Sequence, residues 1–429
     1  MITFIAINLI AIFALISYRV EGDIWHPSVF AGVLWVFILT VGQAAGFKDL
    51  SLTGAAYIFF FVGTFIIFSN LGSYLCNSSK ILKSNKPSKR FKIFFLLTII
   101  ISIWTLYFYI KQALQYPSLG YYLFAVRDLS ISGESILQDA NFLQRKAPIL
   151  IYGLVVFNAV IFAKKNENTL WDRIMFFLVL TLAALILMAE GARATFFILS
   201  GSVFIIFQSH RKITSLGAAI VIVALILFFS LITLLRVFGN DVSVNYLDVL
   251  MDTGSDLAFY CCSGPVAFDY VINNMNEFST NFNLTLNSLQ HLLYNVGILD
   301  VYQPSLTLGA DQSLYVNVLS DGYRAGNVYT FIYPLLHDFS LMGGLAIMSL
   351  IGLSVGYLYK IKNGNWFECI LYSTLMSALL FSSFNEYWIS LLLSPGFIYV
   401  ILIGILIFGR INILFYMQNK SIVRPAKLL

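Results

Sequence analysis

The chain has 429 residues, of which 59% are hydrophobic and 11% are charged, and its formal net charge is +5. A soluble globular protein carries about 25% charged residues, so this composition excludes that class. Together with a mean hydropathy of +0.83, it indicates an integral membrane protein.

Eleven apolar segments follow one another along the chain, each close to the length of about 17–25 residues that a helix needs to cross a bilayer. They are residues 1–17, 28–46, 54–76, 93–110, 147–163, 172–189, 194–209, 214–235, 340–359, 366–384 and 388–409. The first segment lacks a basic n-region and a cleavage site, so we expect it to remain as a helix. Because uninterrupted apolar runs exclude a β-barrel pattern, we predict an all-α polytopic protein whose residues 1–429 form one membrane domain.

Most of the 26 Lys and Arg residues fall in alternate loops, which gives the chain a predicted orientation. The positive-inside rule places these loops in the cytoplasm together with the C-terminal tail 410–429, and it places the N-terminus outside. Two long loops, 111–146 and 236–339, then face outward, the second of them between the eighth and ninth spans. We therefore look for function on the outer side.

Both long outer loops contain helical patterns. The stretch "YPSLGYYLFAVRDL" is aromatic and weakly amphipathic, which is typical of a helix that lies in the membrane interface. Between Tyr246 and Ala258, apolar residues at helical spacing alternate with aspartates and predict a half-buried helix along the surface. A further helix is predicted over Leu284–Tyr294.

Metal binding is not favoured anywhere in the chain. Glu21 and Asp23 have a spacing at which two carboxylates can share a divalent cation. The predicted orientation puts them beside Arg19 in the cytoplasm, however, so we interpret them as a solvated loop. The neighbouring Cys261 and Cys262 are interpreted as packing residues, because no CxxC or Cys/His spacing typical of a zinc site occurs.

The stretch "LMAEGARATFF" places Glu190 and Arg193 at the tip of a tight hairpin between the sixth and seventh spans. Arg236 ends the eighth span at the same outer boundary. Two arginines on an otherwise acidic face could hold the phosphate oxygens of a lipid diphosphate bidentately. The alternative is that each arginine extends from a helix end to the head groups, with Arg193 paired to Glu190.

A third group of polar residues precedes the ninth span, in "AGNVYTFIYPLLHDFSLMGG". His337 could take a proton from a sugar hydroxyl near neutral pH, or it could make a structural hydrogen bond, and Asp338 beside it is a second candidate base. Tyr329 and Tyr333 are either interfacial anchors or substrate contacts. Arg324 either pairs with Asp321 or reaches the same site. Pro334 is expected to break the approach to the membrane, and Gly343-Gly344 to permit close helix contact.

The hairpin "EGARATFFIL", the long outer loop and "GNVYTFIYPLLHDFSLMGG" before the next span resemble the Wzy-type O-antigen polymerases, which join oligosaccharide repeat units in bacterial envelopes. The resemblance implies a glycosyltransferase C-type fold in the bacterial inner membrane, with the active site facing the periplasm. It also implies transfer of a growing glycan from its polyprenyl diphosphate to a hydroxyl of an incoming lipid-linked unit.

The resemblance assigns the diphosphate to Arg193, Arg236 and Arg324, with Glu190, Tyr329 and Tyr333 in support, and acceptor activation to His337 or Asp338. Because arginines stabilise the departing charge, we expect a metal-independent enzyme without a cofactor. The expected partners are the lipid-linked donor and acceptor, membrane lipids and a chain-length-regulating co-polymerase of the Wzz type, but no nucleic acid. An O-antigen ligase of the same architecture and a flippase for lipid-linked oligosaccharide remain as alternatives.

Overall fold

The structure is a computed structural model. It describes residues 1–76, 89–131, 140–165, 168–189, 193–210, 262–274, 316–320, 330–383 and 387–408, and short pieces at 259, 285–286, 289–290, 293, 298 and 325–326. In chain order its helices are α1 (Ile2–Glu21), α2 (Pro27–Ala44), α3 (Leu52–Leu75), α4 (Lys89–Ala113), α5 (Leu119–Ile131), α6 (Phe142–Lys164), α7 (Leu170–Ala189), α8 (Arg193–His210), α9 (Gly264–Asn273), α10 (Ile332–Ile361), α11 (Trp366–Leu380), α12 (Trp388–Leu392) and α13 (Pro395–Phe408). Two short strands, β1 (Val316–Asn317) and β2 (Ala325–Gly326), pair antiparallel.

Seven of the described helices are long and apolar enough to cross a membrane: α1, α2, α3, α4, α6, α7 and α10. Helices α8, α11 and α13 contain apolar segments that are shorter, at 10–17 residues. The chain is therefore a mostly helical, polytopic membrane protein, as the sequence predicts. The eighth predicted span, 214–235, and the helix predicted from Tyr246 to Ala258 lie outside the described residues.

The last two predicted spans need correction. The tenth was predicted to reach residue 384, but α11 already ends at Leu380. The eleventh was predicted as one helix over 388–409, but it is divided into α12 and α13. The division falls at Ser394, whose Oγ accepts the Phe397 N–H at 3.1 Å, and at Pro395, which lacks an N–H and suits the first position of a helix.

The prediction that Pro334 breaks the approach to the ninth span is wrong. Helix α10 begins at Ile332, so Pro334 lies in its first turn, where a missing N–H is tolerated. The break comes instead at Ser340, whose φ of 59° and ψ of 179° are non-helical. The predicted start of the span at 340 therefore marks a bend inside a longer element.

This bend folds the first part of α10, the folded-back segment Ile332–Phe339, against the rest of the helix. The Leu335 carbonyl oxygen lies 3.2 Å from the position that a Cβ would take on Gly344. In a straight helix, residues nine apart are separated by about 13.5 Å along the axis. The segment before the bend must therefore turn back on the segment after it.

Helices α3 and α10 pack at backbone distance. A Cβ on Gly352 would lie 2.8 Å from the Phe65 carbonyl oxygen, and a Cβ on Gly72 would lie 2.9 Å from the Leu353 carbonyl carbon. The expectation that Gly344 permits close helix contact is confirmed, since its Cβ would lie 2.9 Å from the Phe61 ring. Small residues at such crossings let helices approach closely where lipid removes the hydrophobic driving force.

The buried side chains form two large clusters that share α11. The first contains residues of α1, α2, α3, α9 and α10, and the second contains residues of α4, α6, α7, α8 and α13. Tyr372 and Leu375 of α11 belong to the first cluster, whereas Cys369 and Ile370 belong to the second. Helix α11 therefore lies between two groups of helices and links them.

The two ends of the bundle are named by their loops. At the Asp49 end, residues 45–51 join α2 to α3, and Asp269 of α9 accepts hydrogen bonds from the backbone N–H and the hydroxyl of Ser51. The predicted helix in the first long loop is confirmed as α5, and Tyr122 fixes it by donating to the carbonyl of Ala189, the last residue of α7, at 3.0 Å. At the Lys360 end, residues 22–26 join α1 to α2 and α10 ends.

Candidate functional site

His337 and Asp338 form a hydrogen-bonded pair near the end of the folded-back segment. His337 Nδ1 lies 2.8 Å from Asp338 Oδ1, and the exposed fractions of the two side chains are 10% and 0%. An ionised carboxylate can only accept, so Nδ1 carries the proton and the lone pair of a neutral ring is on Nε2. This is the tautomer that a general base needs when its Nε2 faces the reacting hydroxyl.

The second oxygen of Asp338 is held by a distant part of the chain. Asp338 Oδ2 accepts the backbone N–H of Thr285 at 2.6 Å, and the Thr285 hydroxyl donates to the Pro334 carbonyl at 3.2 Å. A buried carboxylate is costly unless hydrogen bonds compensate for its lost hydration. Here each oxygen of Asp338 has such a partner, which keeps the carboxylate buried and fixed.

Tyr333 lies one turn before His337, and their ring centroids are 5.7 Å apart. Only 1% of Tyr333 is exposed, so it packs in the core and does not belong to an interfacial belt. The ring instead forms one side of the environment of His337. The structure thus brings together three of the predicted site residues, Tyr333, His337 and Asp338.

The folded-back segment begins deep in the bundle. Phe331, the residue before it, packs its ring against Trp35 at 5.7 Å and Phe61 at 6.2 Å. Both partners lie near the middle of their helices, α2 and α3. The segment therefore begins in the interior of the bundle. Backbone that is not helical at such a depth, such as that before Ile332, is tolerated only where protein or a water-filled cavity surrounds it.

The turn after α11, residues 381–383, connects this segment with the beginning of α8. The Ser382 carbonyl accepts the Phe331 N–H at 2.8 Å, and the Ser382 hydroxyl accepts the Trp35 indole N–H at 3.1 Å. On its other side, the Phe381 ring lies 5.9 Å from that of Phe197, one turn into α8. The beginning of α8 and Phe331, the residue before the folded-back segment, therefore contact the same turn.

Helix α8 begins at Arg193, which fits the predicted tight hairpin after α7, but the Arg193 side chain lies outside the described part of the structure. Glu190, Arg236, Arg324 and Tyr329 also lie outside the described residues. Their roles remain predictions.

A second polar group, whose partners are far apart in the sequence, lies at the Lys360 end. The Glu21 cluster consists of Glu21, Asp23, His26, Tyr359, Lys360 and Lys362. Glu21 pairs with Lys360 at 3.1 Å with an exposed side-chain fraction of 12%, and Asp23 accepts the Tyr359 hydroxyl. The prediction of a solvated loop at Glu21 and Asp23 is therefore wrong, because both carboxylates have partners from α10.

Burial lowers the pKa of two members of the Glu21 cluster. It lowers the pKa of His26 to about 4, so the ring is neutral at pH 7 and its 3.7 Å contact with Glu21 is not an ion pair. Burial also lowers the pKa of Lys362 to about 8, and its ammonium lies 3.7 Å from the centre of the Tyr359 ring. A cation over a ring keeps part of the stabilisation that water would supply.

The Glu21 cluster joins helices and offers no metal site. His26 Nε2 lies 2.6 Å from the Ser73 hydroxyl, which donates to the Gly356 carbonyl at 3.0 Å and so ties α2, α3 and α10 together. Among the described residues, no group of three His, Cys, Asp or Glu side chains could hold a metal ion. The cluster therefore fixes helix ends.

No protein-family model, no curated protein and no solved structure matches the chain.

Proposed function

We propose that this protein is a membrane glycosyltransferase that polymerises polyprenyl-diphosphate-linked oligosaccharide repeat units, as an O-antigen polymerase of the Wzy type does. The observation that carries the proposal is the His337–Asp338 pair, in which a buried carboxylate holds an imidazole by Nδ1. That arrangement suits removal of a proton from a hydroxyl, which is the acceptor half of a glycosyl transfer.

The proposal includes eleven spans, a glycosyltransferase C-type fold and a place in the bacterial inner membrane. Ten described helices contain apolar segments that support this count, and residues 214–235 would supply the eleventh span. The excess of Lys and Arg in alternate loops places the Lys360 end and the C-terminus in the cytoplasm. The Asp49 end then faces the periplasm.

In the proposed reaction, the acceptor hydroxyl of one lipid-linked unit gives its proton to Nε2 of His337. The hydroxyl oxygen forms a bond to the anomeric carbon of the donor glycan. The bond between that carbon and the diphosphate oxygen breaks, and polyprenyl diphosphate leaves with the electron pair. Asp338 stabilises the imidazolium that forms, and the proton then passes to solvent.

The departing diphosphate requires positive charge, which we assign to Arg193, Arg236 and Arg324. The start of α8 at Arg193 supports this assignment, because the N–H groups in the first turn of a helix favour anions. It is also supported by residues 381–383, which contact both α8 and Phe331, the residue before the folded-back segment. The expected transfer is metal-independent, since guanidinium groups take the place of a Lewis acid.

The test is the lipopolysaccharide pattern on a gel, for a strain deleted for this gene and complemented with variants. We expect wild-type protein to restore the ladder and His337→Ala or Asp338→Asn to leave a core with one repeat unit. His210→Ala, the same substitution at the end of α8, serves as the matched control and should restore the ladder. A normal ladder from His337→Ala at equal expression would contradict the proposed role.

The same gel separates the alternatives. A ligase moves finished glycan onto the lipid A core, and a flippase supplies the lipid-linked units for that step. Deletion of either leaves a core without any repeat unit. A core bearing no repeat in the deletion strain would therefore contradict a polymerase and favour one of these two.

A further inference from the structure

Asp338 depends for its orientation on a residue that is far away in the sequence. The terminal torsion of an aspartate is broad, so one hydrogen bond to His337 does not by itself fix the plane of the carboxylate. The second bond, from the Thr285 N–H to Oδ2 at 2.6 Å, comes from a position 53 residues earlier. With both oxygens bonded, Oδ1 is directed at His337 Nδ1.

Thr285 is itself held on the folded-back segment. Its side chain is fully buried, and its hydroxyl donates to the carbonyl of Pro334, one turn before Asp338. Thr285 thus makes two hydrogen bonds to the same segment, and the two acceptor residues are four positions apart. They fix the Thr285 N–H relative to the carboxylate that it serves.

We propose that Thr285 is a positioning residue, whose backbone N–H orients Asp338 and thereby holds His337 as the Nδ1–H tautomer. A hydrogen bond between an N–H and an ionised carboxylate is about twice as strong as one between neutral groups, which suits this task. The inference rests on the proposed function for its effect on transfer, but its effect on the tautomer is independent of any activity.

The first test is a set of substitutions at Thr285 in the full-length protein, purified into nanodiscs. Thr285→Pro removes the N–H, Thr285→Ala keeps the N–H and removes the hydroxyl, and Thr285→Ser keeps both. The probe is lipid-linked oligosaccharide extracted from the deletion strain. Because a displacement of 1 Å costs about 100-fold in rate, we expect Thr285→Pro to lower kcat by about 10-fold to 100-fold at unchanged KM. Thr285→Ser should match the wild type, and Thr285→Ala, which keeps the N–H but loses the hydroxyl bond to Pro334, should lower kcat by less than Thr285→Pro does.

A double-mutant cycle distinguishes positioning from damage to the fold. If Thr285 acts through Asp338, Thr285→Pro should cause no further loss of kcat in an Asp338→Ala background. If the proline only disrupts the loop, the double variant should lose kcat by the product of the two single-variant factors. Multiplied losses, or a Thr285→Ala loss equal to that of Thr285→Pro, would overturn the assignment of the N–H.

The second test reads the tautomer directly. The chain has four histidines, so histidine-selective ¹⁵N labelling yields four imidazoles, and His337→Gln identifies the signal of interest. We expect the Nδ1–H tautomer of His337 in the wild type, and the same shift toward Nε2–H in Asp338→Ala, Thr285→Pro and the double variant. An unchanged tautomer in Thr285→Pro would overturn the positioning role. A shifted tautomer with unchanged transfer would uphold that role and contradict the proposed function.

Discussion

The backbone contact between α3 and α10 makes a quantitative prediction for Gly72→Ala. The added Cβ would lie 2.9 Å from the Leu353 carbonyl carbon and 3.0 Å from its Cα, and closer still to its oxygen. Carbon atoms in contact prefer about 3.5–4.0 Å, so the helices must separate by at least about 0.5–1 Å. Overpacking of this kind costs about 1–3 kcal/mol.

Gly63→Ala is the matched control, because the same helix offers a glycine with nothing within 4 Å of its Cβ position. Alanine is favoured over glycine inside a helix by about 0.5–1 kcal/mol, and this gain applies to both variants and cancels in their comparison. The expected difference in the free energy of unfolding between the two variants is therefore the steric cost alone. At a few degrees per kcal/mol, the thermal midpoint of Gly72→Ala should lie roughly 2–10 °C below that of Gly63→Ala.

The assay is thermal unfolding in detergent, followed with a dye that fluoresces when it reacts with a thiol. Cys262 and Cys369 are buried, so they react only as the bundle opens. A midpoint for Gly72→Ala equal to or above that of Gly63→Ala would refute the close packing of α3 on α10. It would also remove the support on which the folded-back segment rests.

Three further predictions concern stability and use the same unfolding assay. Burial lowers the pKa of Lys362 from 10.5 to about 8. Between these two pH values the unfolded chain therefore binds more protons than the folded one. The free energy of unfolding should rise by roughly 3 kcal/mol as the pH increases through this window. Lys362→Met should abolish that rise, and parallel pH curves for the two proteins would contradict the burial of the ammonium. Glu21→Gln should lower the free energy of unfolding by about 1–3 kcal/mol, because it weakens the bond to Lys360. Lys165→Ala, which breaks a more exposed ion pair, should lower it by less than about 1 kcal/mol. Equal losses of stability in the two variants would argue against the Glu21 cluster. Ser340→Gly should stabilise the protein by about 1 kcal/mol or more, since a φ of 59° with a ψ of 179° suits only glycine, and a lower midpoint would count against the bend.

The helices were predictable because a span is a local property of the sequence. A run of about 20 apolar residues identifies a helix without knowledge of its partners, and the predicted segments overlap the helices that the structure describes. The bend at Ser340 was not predictable in this way, because "FSLMGG" continues an apolar run. Pro334 was misread for a related reason, since a proline suits the first turn of a helix as well as a break.

Contacts between distant segments explain what the sequence analysis missed. Asp23 and Glu21 looked like a solvated loop because their partners, Tyr359 and Lys360, lie more than 330 positions away. His337 and Asp338 could be proposed because they are neighbours in the chain. Thr285 could not, because its part in the site depends on a hydrogen bond across 53 residues.

Transfer with purified protein distinguishes a polymerase from the other possibilities in a single experiment. Lipid-linked oligosaccharide from the deletion strain is incubated with the protein in nanodiscs and EDTA, and glycan length and released polyprenyl diphosphate are followed together. We predict a ladder of lengthening glycans and one polyprenyl diphosphate released for each added repeat unit, with both products lost in His337→Ala. No ladder in EDTA, followed by full activity when magnesium is added, or a ladder that persists in His337→Ala, would contradict this prediction.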